Sequence, residues 1–575
     1  MSSFSEIEHV ETDVLIIGGG VAGMMAAVGC IRSGVTPILM TKATFPSGSS
    51  SMARGGYSAA VARSDSPEFY YEDAIAASDG LCNRRLMKIM SSEVIERTYE
   101  LDEWGLGLVK TDDGNFHQKN SGSHRMPRLL HCGKLMGKPL MKSLAKKLKE
   151  WEVPTLQHVI FVDFIKEAGR VTGAWGFYYR DARPVVVHAK STILATGGAP
   201  QLHEINDSPP YVSGDGYAMA LRAGAKLIDM EFIDYQLLTA APLKIRGYPP
   251  HTSGFIHAGA YLLNKDKERF MWNYDPENGE RSSRAMINRA VGMEIFKGRG
   301  TENYGIYLDT SHVIDKVNNG ATSDVIRVFK NSGVDLSKDP MEVASGPHTY
   351  LGGVLIDEWG RTNIQGLYAG GEAAGGIHGA NRLGGAALAD SYVFGLRSGI
   401  GAACEIQGLD NPDPNRGNWK EGIETLKEKM SINKGPDDKE VRKKVQTVAV
   451  SLIGQIRHGD KLLKALDELK DLQEENQGCV VKGDTDKKKF DSLRRIQETD
   501  NLIEVSKMLS ESALERKESR GGHFRNDCPD IDKEWECSLV VFQDQGKIAV
   551  KRREIVQEDE TGIEPENQPG TASVV

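Results

Sequence analysis

The sequence predicts an α/β fold with a nucleotide-binding parallel sheet, an inserted α+β region and a helical region near the C-terminus. Three observations predict it. A βαβ pattern occupies residues 14–40, and glycine-rich turns recur after apolar runs near residues 195 and 370. From about residue 232 to 343 the glycine-rich turns stop and the composition becomes mixed. From residue 415 to about 517 the chain is charged and amphipathic, which is typical of packed helices.

The βαβ pattern begins with residues 14–17, an apolar run with the length and branching of a buried strand. Three glycines and a small-residue helical stretch follow, and residues 37–40 form a second apolar run. Gly18, Gly20 and Gly23 fit G-x-G-x-x-G in the strand–turn–helix context that gives this motif its meaning. There the glycines allow a tight turn, close approach of a pyrophosphate and close helix packing. We therefore predict dinucleotide binding at the helix N-terminus.

Two other interpretations of this stretch compete with nucleotide binding. A purely structural glycine-rich turn in a parallel sheet remains open. Residues 14–31 are uncharged and long enough for a membrane span, but three consecutive glycines and an acidic lead fit neither a span nor a signal peptide. We expect no membrane insertion. The second strand ends in Thr41-Lys42 instead of the acidic residue that usually binds the adenosine ribose.

The composition indicates an enzyme-like protein of several domains. At 575 residues the chain is too long for one core, so we expect two to four domains. The net charge of −9 is spread along the chain, and no basic face favours nucleic acid. The seven cysteines form no CxxC pair, which predicts reduced thiols in a cytoplasmic protein and no metal site on this chain.

The segments between the glycine turns contain further elements. Residues 43–63 form a polar, glycine-rich loop that can wrap a cofactor or lie on the surface. Residues 68–105 have apolar spacings that predict a helical stretch. The basic loop 122–128 is either a solvated turn or an anion contact. Residues 156–164 and 185–194 are predicted strands of a sheet over the core.

The chain returns repeatedly toward one extended ligand. The strand ending at residue 194 runs into Thr196 and Gly197, and Asp215 opens the next helix. A third return, at residues 368–372, ends in Glu372. Because a single βαβ region ordinarily holds NAD, these returns favour the longer molecule FAD.

Four regions follow from this pattern. We predict a discontinuous, Rossmann-like FAD-binding domain at residues 1–231 and 344–410, with a capping domain inserted at 232–343. A helical domain at 411–525 and a C-terminal segment at 526–575 complete the chain. Residues from 557 onward are acidic and contain Gly and Pro, so we predict that this tail is disordered.

Motifs along nearly the whole chain resemble the succinate dehydrogenase/fumarate reductase flavoprotein family, which includes L-aspartate oxidase. They are IIGGGVAG, MARGGYSAA, GDGYAMALRAGA, RAMINRA, PHTYLGGV, GLYAGGEAAGGIHGANRLGG and ESRGGHFRNDCPDID. Thr41-Lys42 fits as well, because several members carry Ser/Thr-Lys there. The resemblance implies hydride transfer between FAD N5 and a C–C or C=C bond next to a carboxylate, where the cap closes over the flavin.

The resemblance also implies roles for individual residues. The helix pattern R-x-x-x-x-R-A places the proton-donating arginine at Arg284, a role that requires burial and neighbouring positive charge. His348 and Arg382 match the pair that clamps a substrate carboxylate, which a guanidinium grips bidentately. An exposed helix arginine and a structural histidine are the ordinary alternatives. Further substrate contacts are implied for Gln236, Thr252 and His257. Cofactor contacts are implied for Gly18, Gly20, Gly23, Thr41, Lys42, Ser49, Gly55, Gly56, Thr196, Gly197, Asp215, Glu372, His378 and Leu388.

Four departures from the family pattern limit this transfer. Ser49 stands where membrane-bound members have the histidine that bonds covalently to FAD, so we predict non-covalent FAD. The family's MEFVQFHPT is here MEFIDYQLLT, and Gln236 replaces the histidine that binds the far carboxylate of a C4 dicarboxylate. Ser253 and Ile256 replace the glutamate and arginine that relay protons to the catalytic arginine. Ala386-Ala387 replaces Asn-Ser after RLGG.

These features predict the flavoprotein subunit of a fumarate reductase/succinate dehydrogenase-like oxidoreductase, with a small carboxylate as substrate. One interpretation of the four departures is neutral sequence change within a fumarate reductase. We favour the other interpretation, a different substrate that is larger or monocarboxylic. An amino-acid oxidase like L-aspartate oxidase is an alternative, because GRTNIQGLYA and Ser49 resemble that branch. A non-catalytic FAD scaffold is another, against which the retained Arg284, His348 and Arg382 argue.

The electron partner is predicted from what the sequence lacks. There is no second nucleotide fingerprint, haem motif or cysteine cluster, so we expect a separate iron–sulfur subunit to carry the electrons. The protein would then be cytoplasmic, or peripheral at a membrane through its partner subunits.

Overall fold

The computed structural model describes residues 6–133, 135–317 and 320–560. Within them the strands, numbered in chain order, are β1 (Glu8–Ile17), β2 (Ile38–Thr41), β3 (Tyr57–Ser58), β4 (Gln118–Lys119), β5 (Leu129–Leu130), β6 (Thr155–Gln157), β7 (Val159–Glu167), β8 (Arg170–Tyr178), β9 (Pro184–Leu194), β10 (Leu227–Ile228), β11 (Ile233–Ala241), β12 (Tyr261–Leu263), β13 (Ile306–Asp309), β14 (Met341–Tyr350), β15 (Gly353–Leu355), β16 (Leu367–Ala369), β17 (Ala374–Gly375), β18 (Ile456–Arg457), β19 (Phe524–Arg525), β20 (Ser538–Asp544) and β21 (Lys547–Arg553). The helices are α1 (Val21–Arg32), α2 (Pro67–Ala77), α3 (Arg84–Glu103), α4 (Gly137–Glu150), α5 (Asp215–Ala223), α6 (Thr252–Ala258), α7 (Arg284–Phe296), α8 (Gly320–Asn331), α9 (Ala386–Glu405), α10 (Trp419–Ser431), α11 (Asp438–Val448), α12 (Gly459–Gln477) and α13 (Asp486–Glu515).

The main sheet has the strand order β6-β2-β1-β9-β8-β7, and β16 also pairs with β9. The strands β6, β2, β1, β9 and β16 run parallel. Ile17 pairs with both Met40 and Leu194, and Leu194 also pairs with Ala369. The predicted glycine turns therefore leave the same edge of one sheet, the edge where α/β folds bind ligands.

Close helix packing holds this domain together. α1 and α9 approach backbone to backbone through Gly29, Gly395 and Gly399. A Cβ atom at Gly399 would lie 2.0 Å from Ala26 O. The small residues of the sequence pattern thus serve packing as well as ligand access.

Two predicted elements are each divided in the structure. The stretch 68–105 forms α2 and α3. It breaks at Asp79 and Gly80, whose φ angles of 52° and 82° are not helical, and α3 begins after Asn83, which accepts a hydrogen bond from Leu86 N. The predicted strand 156–164 is likewise wrong as a single strand. It forms β6 and β7, separated at His158, whose φ of 66° interrupts an extended chain.

The inserted region forms a sheet of order β11-β14-β13-β12, packed with α6, α7 and α8 around its own apolar core. β11 and β14 pair antiparallel and connect this cap to the FAD-binding domain. β14 runs across the predicted boundary at residues 343–344, so the return to the main domain lies within a strand.

The C-terminal part combines helices with a returning hairpin. α11, α12 and α13 share one apolar core, and β20 pairs with β10 of the main domain. No described helix is long and apolar enough to cross a membrane. The predicted disordered tail falls mostly outside the described residues. Near the start of this tail, Glu558 accepts a 2.7 Å hydrogen bond from Tyr71 Oη.

Candidate functional site

The glycine turns border a cleft at the carboxyl edge of the main sheet, with about 900 Å³ of empty space when the part open to solvent is included. Most of the predicted cofactor residues line it, namely Gly18, Gly20, Thr41, Lys42, Ser49, Thr196, Gly197, Asp215 and Glu372. Gly20 and Val21 bring the N-terminus of α1 to the cleft, and Gly20, at the cap position, has no side chain to cover it. This helix end favours an anion such as a pyrophosphate.

The remaining predicted cofactor residues do not line the cleft and lie in the surrounding packing. A Cβ at Gly23 would lie 1.9 Å from Gly18 O, so this glycine lets α1 pack on β1, as the motif predicted. Gly55 and Gly56 lead into β3, where a Cβ at Gly56 would lie 1.8 Å from Leu130 O. His378 and Leu388 are buried.

The polar groups of the cleft fit FAD. Thr196 Oγ1 is buried and has no hydrogen-bond partner among the described residues, so a ligand can satisfy it. Glu372 is half-buried and accepts a 3.0 Å hydrogen bond from Tyr350 N. Burial raises the pKa of the Glu372 carboxyl above its ordinary value. An acceptor of this kind can bind the hydroxyls of a flavin side chain.

The helical domain contacts Lys42, a residue of the cleft lining, through Glu498 on α13. Lys42 Nζ lies 2.6 Å from Asp215 Oδ2, 2.7 Å from Ser213 Oγ and 3.0 Å from Glu498 Oε1. Burial alone would raise the pKa of Glu498, but Lys42, Arg494 and Arg442 lower it to about 2. Glu498 was not among the predicted site residues, because residues 411–525 contain no motif that marks a ligand site.

A buried carboxylate, Asp234, joins the two predicted catalytic arginines. Arg284 Nη2 lies 2.8 and 2.7 Å from the two Asp234 oxygens, and Arg382 Nη2 lies 2.8 Å from Oδ2. Arg284 opens α7 of the cap, whereas Arg382 precedes α9 in the FAD-binding domain. Burial would raise the pKa of Asp234, yet Arg284, Arg382 and His348 hold it below its usual range. We call these three linked side chains, Arg284, Asp234 and Arg382, the arginine–aspartate triad.

A second carboxylate, Asp207, contacts two further substrate candidates, Gln236 and His348. Asp207 Oδ2 accepts hydrogen bonds from Gln236 Nε2 at 2.6 Å and from His348 Nδ1 at 3.0 Å. Gln236 and His348 lie on the paired strands β11 and β14, with 3.1 Å between Nε2 and Nδ1. Asp207 itself comes from the loop after β9, so it links the FAD-binding domain to the cap.

The sequence contained a signal for only one of these carboxylates. Asp234 stands where the family's MEFVQFHPT has its glutamine, so the quoted motif already contained the change. Asp207 lies between two glycine turns, in a segment to which no motif assigned a role.

Three predicted site residues do not match their predicted roles in this structure. Arg284 is more exposed than its role requires, and Thr252 and His257 have no described hydrogen bond or ion pair with the other candidates. The Arg284 side chain is 45% exposed, so the burial expected of a proton-donating arginine is absent from this structure. Thr252 and His257 lie on α6, where His257 Nδ1 is 2.7 Å from Ser253 O. Within the described chain no hydrogen bond or ion pair joins either residue to the triad, Gln236 or His348.

Comparisons with known proteins agree with this geometry. Residues 13–388 match the FAD binding domain family, and residues 442–569 match the fumarate reductase flavoprotein C-terminal family. A fumarate reductase (CoM/CoB) chain from Methanothermobacter marburgensis is 36% identical, covering 93% of this chain and 98% of its own. An L-aspartate oxidase from Synechocystis is 28% identical, covering 92% of this chain and 96% of its own. Among solved structures, Mycobacterium smegmatis Sdh1 in complex with UQ1 superposes with a TM-score of 0.88 at 29% identity, covering 97% and 96% of the chains.

The contact of Lys42 with Glu498 predicts that the helical domain contributes to FAD binding. In Glu498→Gln, Lys42 loses a buried charge partner, so we expect the FAD dissociation constant to rise about tenfold or more. Fluorescence titration of the apoprotein with FAD measures it. Glu511→Gln, a carboxylate-to-amide change farther along α13, is the control. Equal FAD affinity in Glu498→Gln and the parent protein would contradict the prediction.

Proposed function

The chain belongs to the succinate dehydrogenase/fumarate reductase flavoprotein family, and we propose that its substrate is a monocarboxylic acid bound by Arg382 and His348. It is an FAD-dependent oxidoreductase of the kind that acts on CH–CH bonds. The observation that carries the proposal is an unused donor. Arg382 Nε is buried, and no described residue accepts a hydrogen bond from it.

Arg382 is built to hold an anion. Its side chain is only 4% exposed, with Nη2 on Asp234 and Nη1 donating to Leu383 O at 3.1 Å. A substrate carboxylate at Nε would satisfy the remaining donor. His348, on β14, provides the second contact through Nε2 when its ring carries both protons, because Nδ1 already donates to Asp207. Withdrawal of electron density into this clamp polarises a double bond next to the carboxylate and favours hydride addition.

We assign the proton donor to Arg284, whose guanidinium would become buried when a substrate lies over it. FAD, when bound in the cleft, supplies or accepts the hydride. Because Arg284 is 45% exposed in the absence of substrate, water can restore its proton. The family's proton relay, whose positions are occupied here by Ser253 and Ile256, is then not needed. Asp234 holds the Arg284 guanidinium through both of its carboxylate oxygens. The guanidinium thereby stays close to Arg382, where we propose that the substrate carboxylate binds.

The charges of the pocket favour a monocarboxylate. Arg284 and Arg382 already share Asp234, and Asp207 lies against His348. Two carboxylates thus offset two guanidinium groups, which leaves little positive charge for a second carboxylate of the substrate. Gln236 adds no charge where the family has a histidine.

Anaerobic reoxidation tests the proposed function. The dithionite-reduced holoenzyme is mixed with unsaturated mono- and dicarboxylates, and flavin absorbance is followed. We expect at least one monocarboxylate to reoxidise the flavin faster than fumarate. Failure of every compound would overturn the proposal. Hydrogen peroxide formation with L-aspartate would support the oxidase alternative, which the relative from Synechocystis makes worth testing.

A separate iron–sulfur subunit in the cytoplasm is the electron partner we propose. The seven cysteines form no disulfide, and the described residues contain no group of side chains able to hold a metal. The fumarate reductase flavoprotein match at residues 442–569 supports a shared mode of assembly. Native mass measurement after gentle purification tests this. A fully active homomer that uses oxygen or NADH would overturn it.

Non-covalent attachment of FAD is the first prediction from this proposal. Ser49 lines the cleft, and its Oγ lies 3.3 Å from Ser208 Oγ. A serine hydroxyl cannot form the histidyl bond of membrane-bound members. Acid precipitation should therefore leave the yellow chromophore in the supernatant, where chromatography identifies it. Colour retained in a washed pellet, or FMN in the supernatant, would contradict this.

Removal of each catalytic arginine should have a different effect. Arg284→Ala should leave substrate affinity nearly unchanged but lower the single-turnover rate about 10²–10⁴-fold, the contribution of a positioned acid. Arg382→Ala should weaken binding as well as turnover, because the carboxylate loses its buried cation. The concentration dependence of anaerobic reoxidation separates affinity from rate.

Arg281→Ala is the matched control, because Arg281 is exposed and precedes α7 by three residues. It should leave both quantities unchanged. A near-normal rate in Arg284→Ala, or normal affinity in Arg382→Ala, would refute the assigned roles.

A further inference from the structure

We infer that Asp207 and Gln236 bind a hydrogen-bond-donating group, a hydroxyl or an ammonium, at the end of the substrate away from its carboxylate. This inference rests on the proposed function, because it takes Arg382 and His348 as the carboxylate clamp. It assigns a recognition role to Asp207 and defines the chemical class of the substrate as a hydroxy- or amino-substituted unsaturated monocarboxylate.

The orientation of Gln236 leaves an acceptor for a ligand. Its Nε2 lies 2.6 Å from Asp207 Oδ2, and a carboxylate accepts hydrogen bonds only, so the amide must direct its NH₂ group toward Asp207. The donor that a glutamine might offer to a substrate carbonyl is thereby used within the protein. Gln236 Oε1 remains as the acceptor.

Asp207 provides the second acceptor. Both of its described contacts, from Gln236 and His348, are made to Oδ2. Within residues 6–133, 135–317 and 320–560, no group donates a hydrogen bond to Oδ1. The side chain is only 11% exposed, so a ligand that satisfies Oδ1 would gain a charge-assisted hydrogen bond in a largely desolvated place.

The charge of this end of the pocket also favours a donor group. No lysine or arginine of the described chain forms an ion pair with Asp207, which contacts only the His348 imidazole among the basic side chains described. A second substrate carboxylate would therefore face a carboxylate and an amide oxygen, which repel it. An ammonium would be attracted, and a hydroxyl could donate to either oxygen.

A purely structural role for Asp207 makes a different prediction. Asp207 joins a loop of the FAD-binding domain to the cap strands β11 and β14. If that link were its only function, its removal would weaken all substrates alike. Recognition of a donor group instead predicts a loss confined to ligands that carry the group.

Four acids with one carbon skeleton allow the two roles to be separated. Crotonate, 4-hydroxycrotonate, 4-aminocrotonate and fumarate share a four-carbon chain with a trans double bond between C2 and C3. They differ only at C4. Their dissociation constants are measured on the oxidised holoenzyme from the flavin absorbance change. Their reoxidation rates are measured anaerobically with the reduced holoenzyme. Each reduction adds one hydride and one proton to C=C and so consumes the two electrons of the reduced flavin.

We expect 4-hydroxycrotonate and 4-aminocrotonate to bind at least about tenfold more tightly than crotonate. Fumarate should bind most weakly of the four. Asp207→Asn should remove most of the affinity that 4-aminocrotonate gains over crotonate. The affinity for crotonate itself should stay within about twofold of that of the parent protein. The control is Glu204→Gln, which makes the same carboxylate-to-amide change in the same loop. Glu204 is exposed and pairs with Arg246, so its change should leave the ranking intact.

The outcomes separate the inference from the proposed function. If none of the four acids binds and reoxidises the flavin, the proposed function fails and the inference fails with it. If they are turned over but 4-hydroxycrotonate and 4-aminocrotonate bind no more tightly than crotonate, only the inference is overturned, whereas tightest binding of fumarate would overturn both. It is also overturned if Asp207→Asn weakens all four acids equally.

Discussion

The buried carboxylate of Asp234 is the constraint on which the site depends. It pairs with Arg284 of the cap and Arg382 of the FAD-binding domain, so it fixes both the position of the cap and the direction of the two guanidinium groups. Removal of one partner from a buried ion pair such as Asp234–Arg382 typically costs about 3–5 kcal/mol, because an uncompensated charge remains. The same carboxylate that orients the two arginines we propose as catalytic therefore also limits the charge they offer a substrate.

The same arrangement recurs at the other functional positions. Glu498 reaches Lys42 from the helical domain, and Asp207 reaches His348 from the loop after β9. In each case a carboxylate from a distant segment orients a side chain to which we assign a ligand contact. The helix N-terminus and glycine turns provide a general nucleotide cleft, whereas we propose that these three carboxylates determine what this particular chain binds.

Local features were predictable from the sequence, and long-range pairings were not. The turn around Gly18 follows from a strand, three glycines and a helix within thirty residues, which is why it could be predicted and why its partners at Thr196 and Glu372 were found by the same pattern. Asp207 and His348 are 141 positions apart, and Lys42 and Glu498 are 456 apart. No periodicity or spacing connects such residues. Asp234 lay inside a quoted motif, but its meaning depended on Arg284 and Arg382, which only the fold brings together.

Replacement of Asp234 by the family's glutamine tests most directly whether pocket carboxylates decide the substrate. The dissociation constant of fumarate is measured on the holoenzymes of the parent and of Asp234→Gln, after equal FAD content has been verified. Our account predicts at least about tenfold tighter fumarate binding in Asp234→Gln, because the two guanidinium groups are released to a second carboxylate. Unchanged or weaker fumarate binding in a correctly folded Asp234→Gln holoenzyme would contradict it.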